Sequence, residues 1–395
     1  MGNRMRITAL KTTIVAIPFT GEEKWAWGGR GGLANVILEV ETDDGLVGLG
    51  EAGGYPTPDI VVAVIRSLEA LVVGENPFHI ERLLKRMYAI GGWHHVRASS
   101  TGIAAIEAAC WDIVGKASNQ PLVNLFGGPV RDRVEYMWYL VRKPAVQLAA
   151  DAREAVKRGF RTLYLKVGGD RPEEDVEMVA AIREGAGPAA LIRVDANEAW
   201  SSGAAIRIIR ELERYKLELV EQPVSARNLK EMAYVRGQIA TPVLANEASW
   251  TRNDALEVIA NNAADVISVD FQMDGGLLNM KRCAGLCEIA GLPVLKHSLG
   301  ELGIATYAAL HVMASTPNFL FANQSYASFL TDDIIEGGGP LPYHDGSLGI
   351  PKGPGVGVNL DRDRLARYAE LYRKQGTFSF YHQDALVATP LIPKM

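Results

Sequence analysis

Two rhythms of apolar and polar positions divide the chain. Residues from about 5 to 55 alternate with a period of two, so "ITALKTTIVAIP" and "ANVILEVETDDGLVGLGEA" read as antiparallel strands, with Asp43-Asp44-Gly45 supplying hairpin-turn chemistry. Between them "GEEKWAWGGRGG" has no such alternation and reads as a loop able to cover something apolar, a disordered connector being equally permitted. Residues from about 58 to 126 read as helices, including "SSTGIAAIEAACWDIVGKA", where Ser99, Ser100 or Thr101 is placed to cap the N-terminus.

From about residue 134 short apolar strands alternate with amphipathic helices: "VEYMWYLV", "RTLYLKVG", "LIRVDAN", "LELVEQPV", "TPVLANE", "DVISVDF", "LPVLKHS" and "NFLFANQ". The strands recur every 23 to 29 residues or so, the spacing of right-handed βαβ units in a parallel sheet. Eight units imply an α/β fold closed as a (β/α)8 barrel, a doubly wound open sheet being the alternative. The division is then 1–130 for an N-terminal α+β domain, 131–340 for the barrel, and 341–395 for a Gly/Pro-rich tail with a final helix that returns to the N-terminal domain.

Composition narrows the partners. The chain has 395 residues, 48% of them hydrophobic, enough for a sizeable core. A formal charge of -5 and a pI near 5.9, with no basic run, give no footprint for nucleic acid or an anionic membrane, and leave small molecules as the expected partners. No signal-like segment opens the chain, and no stretch approaches the roughly 18 apolar residues that span a bilayer, so a cytoplasmic location is expected. Cys110, Cys283 and Cys287 are too few for a zinc site and read as core thiols.

In a closed barrel the chemistry sits at the C-terminal ends of the strands. Read in order, those ends carry Lys166, Asp195, Glu221, Glu247, Asp270, His297 and then Asn323 or Gln324. Three successive carboxylates (Asp195, Glu221, Glu247) make a hard oxygen donor set that suits Mg2+, with Mn2+ as a substitute. Lys166 flanks them on one side and an Asp270/His297 pair on the other, a placement suited to proton transfer at either face of one bound carbon atom.

These residues carry a resemblance. "YLKVG", "RVDAN", "VEQP", "ANE", "SVDFQMDGG" and "LKHS", with "AAIEAACWDIVGK" and "PLVNLFGG", are similar in order and spacing to the strand-end and linker motifs of the enolase superfamily, mandelate racemase subgroup, over essentially the whole chain. The resemblance implies a modified TIM barrel under an N-terminal capping domain completed by the tail. It implies Asp195, Glu221 and Glu247 as Mg2+ ligands, Lys166 as one base, and His297 with Asp270 as the other. It also implies a cap loop with Trp25 and Trp27 that closes over a small carboxylate substrate.

Three positions depart from that pattern. Tyr164 stands where many relatives have a first lysine, so Lys166 is to be kept neutral by the metal and by desolvation, and Tyr164 becomes a candidate for bonding substrate. The last strand offers Asn323 and Gln324 where a glutamate is usual, and an amide still donates. Asn246 precedes Glu247, and strand alternation favours Glu247 as the inward ligand, with Asn246 outward.

The chemistry that fits is removal of the proton α to a carboxylate, giving an enediolate stabilised by Mg2+. Dehydration of a sugar acid to a 2-keto-3-deoxy acid leads. Cycloisomerisation of a lactone or muconate is an alternative, since "FLTDDIIEGG" resembles muconate cycloisomerases although Asp270 replaces their lysine; racemisation or epimerisation of a 2-hydroxy acid is another, and a non-catalytic metal-binding barrel a fourth. Asn197 is a further candidate for touching substrate, His94 and His95 in the cap read as incidental surface histidines with reach to the substrate mouth as the alternative, His311 reads as a satisfied helix residue, and Glu301 as the start of a helix. A symmetric homo-oligomer is expected of so large a barrel.

Overall fold

The computed structural model describes residues 5–91 and 96–381, the side chains of 90, 91, 96 and 379–381 excepted. His94 and His95 therefore lie outside the described residues. The period-two segment forms β1 (Ile7–Trp25), β2 (Gly28–Thr42) and β3 (Val47–Gly53), paired antiparallel. The Asp43-Asp44-Gly45 turn joins the last two, with Gly45 at φ 79°, where a side chain would be strained. The stretch expected to be a loop is instead the end of the β1–β2 hairpin: Glu23 pairs with Arg30 and Trp25 with Gly28. The register slips between Pro18 and Glu23, beside a proline with no N–H for the ladder, and the slip hides the alternation.

Helices α1 (Pro58–Val72), α2 (Ile80–Gly91) and α3 (Val96–Ala117) complete the N-terminal domain, and the short α4 (Leu122–Leu125) leads out of it. Because α3 starts at Val96, Ser99, Ser100 and Thr101 lie inside it and do not cap it.

The expected first barrel strand is divided into β4 (Arg133–Glu135) and β5 (Trp138–Leu140), of which β5 opens the parallel sheet. There follow α5 (Ala145–Lys157), β6 (Thr162–Lys166), α6 (Pro172–Ala186), β7 (Leu191–Asp195), α7 (Ser202–Leu212), β8 (Leu217–Glu221), α8 (Leu229–Arg236), β9 (Val243–Ala245), α9 (Arg252–Ala260), β10 (Val266–Val269), α10 (Leu277–Ile289), β11 (Val294–Lys296) and α11 (Gly303–Ala314). Strands β5 to β11 lie side by side in chain order.

The eighth place is taken by residues 318–324, which form isolated bridges and no regular strand. Val294 N donates to Asn318 O at 2.9 Å on one side, and Met137 N to Asn323 O at 2.9 Å on the other, so the ring closes. A bend at Phe321 beside an exposed Leu320 interrupts the ladder. The fold is thus a modified (β/α)8 barrel with an N-terminal α+β cap. The tail supplies β12 (Ser347–Gly349), antiparallel to β4, then α12 (Arg362–Gln375) against β1, and β13 (Ser379–Tyr381), paired with the start of β2.

Carboxylates of the cap dock it on the barrel. Glu107 of α3 accepts from Leu277 N at 2.8 Å and Leu278 N at 3.0 Å, and Glu51 of β3 accepts from Leu302 N at 2.7 Å and Ala305 N at 2.9 Å. Each satisfies unpaired donors at the positive end of a helix, α10 and α11 respectively. Gly276 has to lack a side chain because a Cβ there would stand 2.7 Å from the Glu107 carboxyl carbon.

Candidate active site

Parallel pairing sets the strand ends in one tier: Lys166 is the register partner of Asp195, and Asp195 of Glu221. Asp195 and Glu221 are fully buried. Asp195 Oδ2 accepts from Lys166 Nζ and from the Tyr164 hydroxyl, both at 2.5 Å, and its Oδ1 from Asn197 N at 2.8 Å. Glu221 takes both oxygens to Gln324 Nε2, at 2.8 and 2.9 Å. Glu247 Oε1 accepts from Asn197 Nδ2 at 2.8 Å, while its buried Oε2 and the buried Oδ1 of Asn197 have no partner among the described residues.

Glu247 is carried on a turn that begins where β9 stops at Ala245. The period of two lapses there, so Asn246 lines the same cavity as Glu247 and does not point outward. Gln222, in the left-handed region at φ 36°, accepts from Asn246 N at 3.0 Å and Ala248 N at 3.1 Å and so fixes that turn. Asn197 and Glu198 are also left-handed, at φ 43° and 65°, a concentration of strained backbone at the strand ends.

His297 follows β11. Its Nδ1 stands 3.4 Å from Asp270 Oδ2, a loose approach, and neither atom has another partner among the described residues. The Asp270 carboxylate is oriented through Oδ1, which accepts from Gln272 N at 2.8 Å. Glu301 does more than precede α11. It takes Lys296 Nζ at 2.7 Å, Leu299 N at 3.0 Å and the Ser298 hydroxyl, tying down the loop that carries His297.

Burial and neighbouring carboxylates raise Glu221 and Glu247. Burial first, then Asp195, pushes Glu221 well above the usual carboxylate range, and the same causes push Glu247 up to about 8. Burial works to lower the Lys166 ammonium, but the carboxylates of Asp195, Glu221 and Glu23 outweigh it and raise it. Desolvation alone therefore does not neutralise this lysine. Charge compensation of its carboxylates would remove what raises it and leave burial to act.

Among the described residues no three acids are drawn into a compact ligand cluster; each is held by its own donor. Even so, the carboxylates of Asp195, Glu221 and Glu247, with buried unpartnered oxygens at Glu247 Oε2 and Asn197 Oδ1, make an all-oxygen donor set that fits a hard divalent cation.

Lys166, Glu247 and His297 face a cavity of about 210 Å³, lined also by Trp25, Tyr164, Asn197 and Gln324, while Asp195 and Glu221 lie outside its lining. Tyr164 reaches it with a hydroxyl already given to Asp195, and Gln324 with its amide nitrogen on Glu221. Asn323 does not line it: Oδ1 accepts from Lys296 N at 2.7 Å and Nδ2 donates to Glu135 O at 3.1 Å, so this side chain closes the barrel. Trp27 touches the site through its indole, which donates to Asn197 O at 2.7 Å. The far wall, absent from the sequence reading, is built by Glu23, Arg30, Tyr55, Tyr139, Trp250 and Tyr326. The only signal in the sequence was the charged and aromatic content of "GEEKWAWGGRGG".

The enolase C-terminal domain-like family profile matches residues 147–364, more than half of the chain, and the mandelate racemase/muconate lactonizing enzyme N-terminal domain profile matches residues 10–127. The chain belongs to the mandelate racemase/muconate lactonizing enzyme family. Within this family it is 34% identical to the hydrophobic dipeptide epimerase of Enterococcus faecalis over 82% of this chain and 91% of that protein. It is 30% identical to the arabinonate dehydratase of Saccharolobus solfataricus over 82% and 88%. An enolase of Pseudomonas fluorescens Pf0-1, solved with bound magnesium, potassium and tartrate, superposes with a TM-score of 0.88 at 27% identity, covering 100% of both chains. No helix among the described residues is long and apolar enough to cross a membrane.

Proposed function

We propose that this protein is an Mg2+-dependent enzyme that removes the proton α to a carboxylate of a small substrate and returns a proton to the same carbon, as a racemase or epimerase. The observation that carries the reading is that Lys166 and His297, from strands on opposite sides of the carboxylate tier, line one cavity.

Asp195, Glu221 and Glu247 would hold the cation, and Mn2+ suits the same oxygens. When bound, the ion neutralises charge that develops on the substrate carboxylate as the α-carbon loses its proton. Lys166, once its neighbouring acids are compensated, accepts that proton at Nζ on one face. His297, with Asp270 stabilising the imidazolium, delivers one at the other, and the reverse reaction exchanges their roles. Trp25 and the cap hairpin exclude water.

The wall tips the balance from dehydration to 1,1-proton transfer. A sugar acid needs partners for several hydroxyls, whereas Glu23, Tyr139 and Tyr326 are engaged within the wall and Ser298 with Glu301, which leaves spare donors on Arg30 alone among these. Dehydration of a sugar acid stands as the second reading on the strength of the 30% identity to an arabinonate dehydratase. Proton NMR in D2O on a library of 2-hydroxy, N-acylamino and sugar acids separates them. The proposal expects α-deuteration with loss of optical rotation, and accumulation of a 2-keto acid would replace it by the dehydratase. Absence of both, with no Mg2+-dependent rise in Tm, would leave the non-catalytic barrel.

A further inference from the structure

The far wall of the cavity holds a buried ion pair that proton abstraction does not use. Arg30 and Glu23 face each other across the β1–β2 hairpin, 6% and 3% exposed, with Nε 2.5 Å from Oε2. Glu23 Oε1 accepts from the Tyr139 and Tyr326 hydroxyls, each at 2.8 Å. Burial opposes its charge, but Arg30 and then Lys166 overcome this and hold Glu23 below the usual carboxylate range. The guanidinium lies over the rings of Tyr326, Tyr55 and Phe19, with its carbon 4.9, 5.5 and 5.9 Å from their centroids. A buried pair of this kind is poor as a stabilising device, because apolar residues of like volume serve as well or better.

Its donor and acceptor inventory is lopsided. Both Glu23 oxygens are taken. Arg30 has five N–H groups, and among the described residues Nε gives one to Glu23, Nη2 one to the Tyr326 hydroxyl at 2.5 Å, and Nη1 one to Leu299 O at a long 3.4 Å. What this wall offers a ligand is donors, presented at the edge of a guanidinium whose faces are covered by rings. Its charge is already cancelled by Glu23, so a neutral oxygen suffices. The faces of Tyr326, Tyr55 and Phe19 already hold the protein's own cation, so they are closed to an ammonium group.

We propose that Arg30, pre-set by Glu23, reads the end of the substrate remote from its reacting carboxylate, and that the substrate carries a neutral acceptor oxygen there, a carbonyl or hydroxyl. This rests on the proton-abstraction reading for the near end, and its test separates the two. Calorimetry of the protein with Mg2+ compares three probes of one chain length: pentanoate, 4-oxopentanoate and glutarate. The distal carbonyl should tighten binding about tenfold over pentanoate, the gain of one hydrogen bond from a charged donor. Arg30→Met should bring that ratio to about one. Should Arg30→Met fail to fold, the double variant Glu23→Leu/Arg30→Met removes both charges at similar volume and is read by the same ratio. A ratio of one in the wild type, a ratio that survives either variant, or a gain for glutarate alone would overturn the proposal. If all three probes bind irrespective of Mg2+, the near-end reading falls, while the ratio still decides this one.

Discussion

The Tyr164 hydroxyl and Lys166 Nζ meet on one atom, Oδ2 of Asp195, each at 2.5 Å. A tyrosine two residues before the lysine thus donates to the carboxylate and adds no positive charge beside it. Burial first, and Asp195 second, raise the phenol well above its usual range, so it stays protonated and keeps donating. Tyr164→Phe should weaken Mg2+ affinity by about tenfold to a hundredfold, the usual effect of losing a group that orients a ligand. Titration of Mg2+ followed by Tm checks this, and an unchanged midpoint would remove Tyr164 from the metal site.

The proposed pair of bases on two faces makes a stereochemical prediction. Lys166→Ala and His297→Asn should each lose net racemisation by at least about 10³-fold, while each retains α-proton exchange with solvent for one enantiomer only, the opposite one in the two variants. Deuterium incorporation into separated enantiomers reads this directly. Exchange of both enantiomers by either variant would show that a single group serves both faces.

Gln324 links Glu221 to the His297 loop, since its Nε2 holds Glu221 and its Oε1 accepts from Ser298 N at 3.1 Å, one residue beyond His297. Gln324→Met should therefore lower both Mg2+ affinity and kcat, the first by removing the donor on a ligand and the second by loosening the His297 loop. Gln324→Glu places a fourth acid against Glu221 and should be worse for the isolated protein. A Met variant with normal Mg2+ binding would confine Gln324 to the loop.

His311 sets an acid limit on stability. Val123 N donates to its Nδ1 at 3.2 Å, so the proton is on Nε2, 3.1 Å from Val356 O. Burial lowers the imidazole from 6.5 to about 4, the Val356 carbonyl acting the other way. The folded state holds the neutral ring, so this stability is present above pH 6.5 and is lost as pH falls towards 4, about 3 kcal/mol in all. In His311→Gln the dependence of Tm on pH between those limits should flatten. An unaltered slope would assign the acid sensitivity to other groups.

Much of this was legible in the chain because the controlling patterns are local. Parallel strands buried on both faces read as apolar runs, a carboxylate at the end of such a run has to face the barrel mouth, and a fixed strand-to-strand spacing leaves a closed ring as the arrangement that brings Lys166, Asp195 and Glu221 into one tier. That is why the barrel, its cap and the titratable groups at the strand ends follow from sequence alone. Asn246 and Asn323 did not, because alternation predicts direction only while a strand lasts, and both stand where the regular ladder has ended. The far wall was out of reach for a different reason. The bond from Tyr326 to Glu23 spans 303 positions, and nothing in a polar hairpin or a distant tyrosine announces that folding will bury them together. Only the closed barrel with the cap seated on its mouth fixes which oxygen each donor meets, and so decides Tyr164 for Asp195, Gln324 for Glu221 and Arg30 for the cavity.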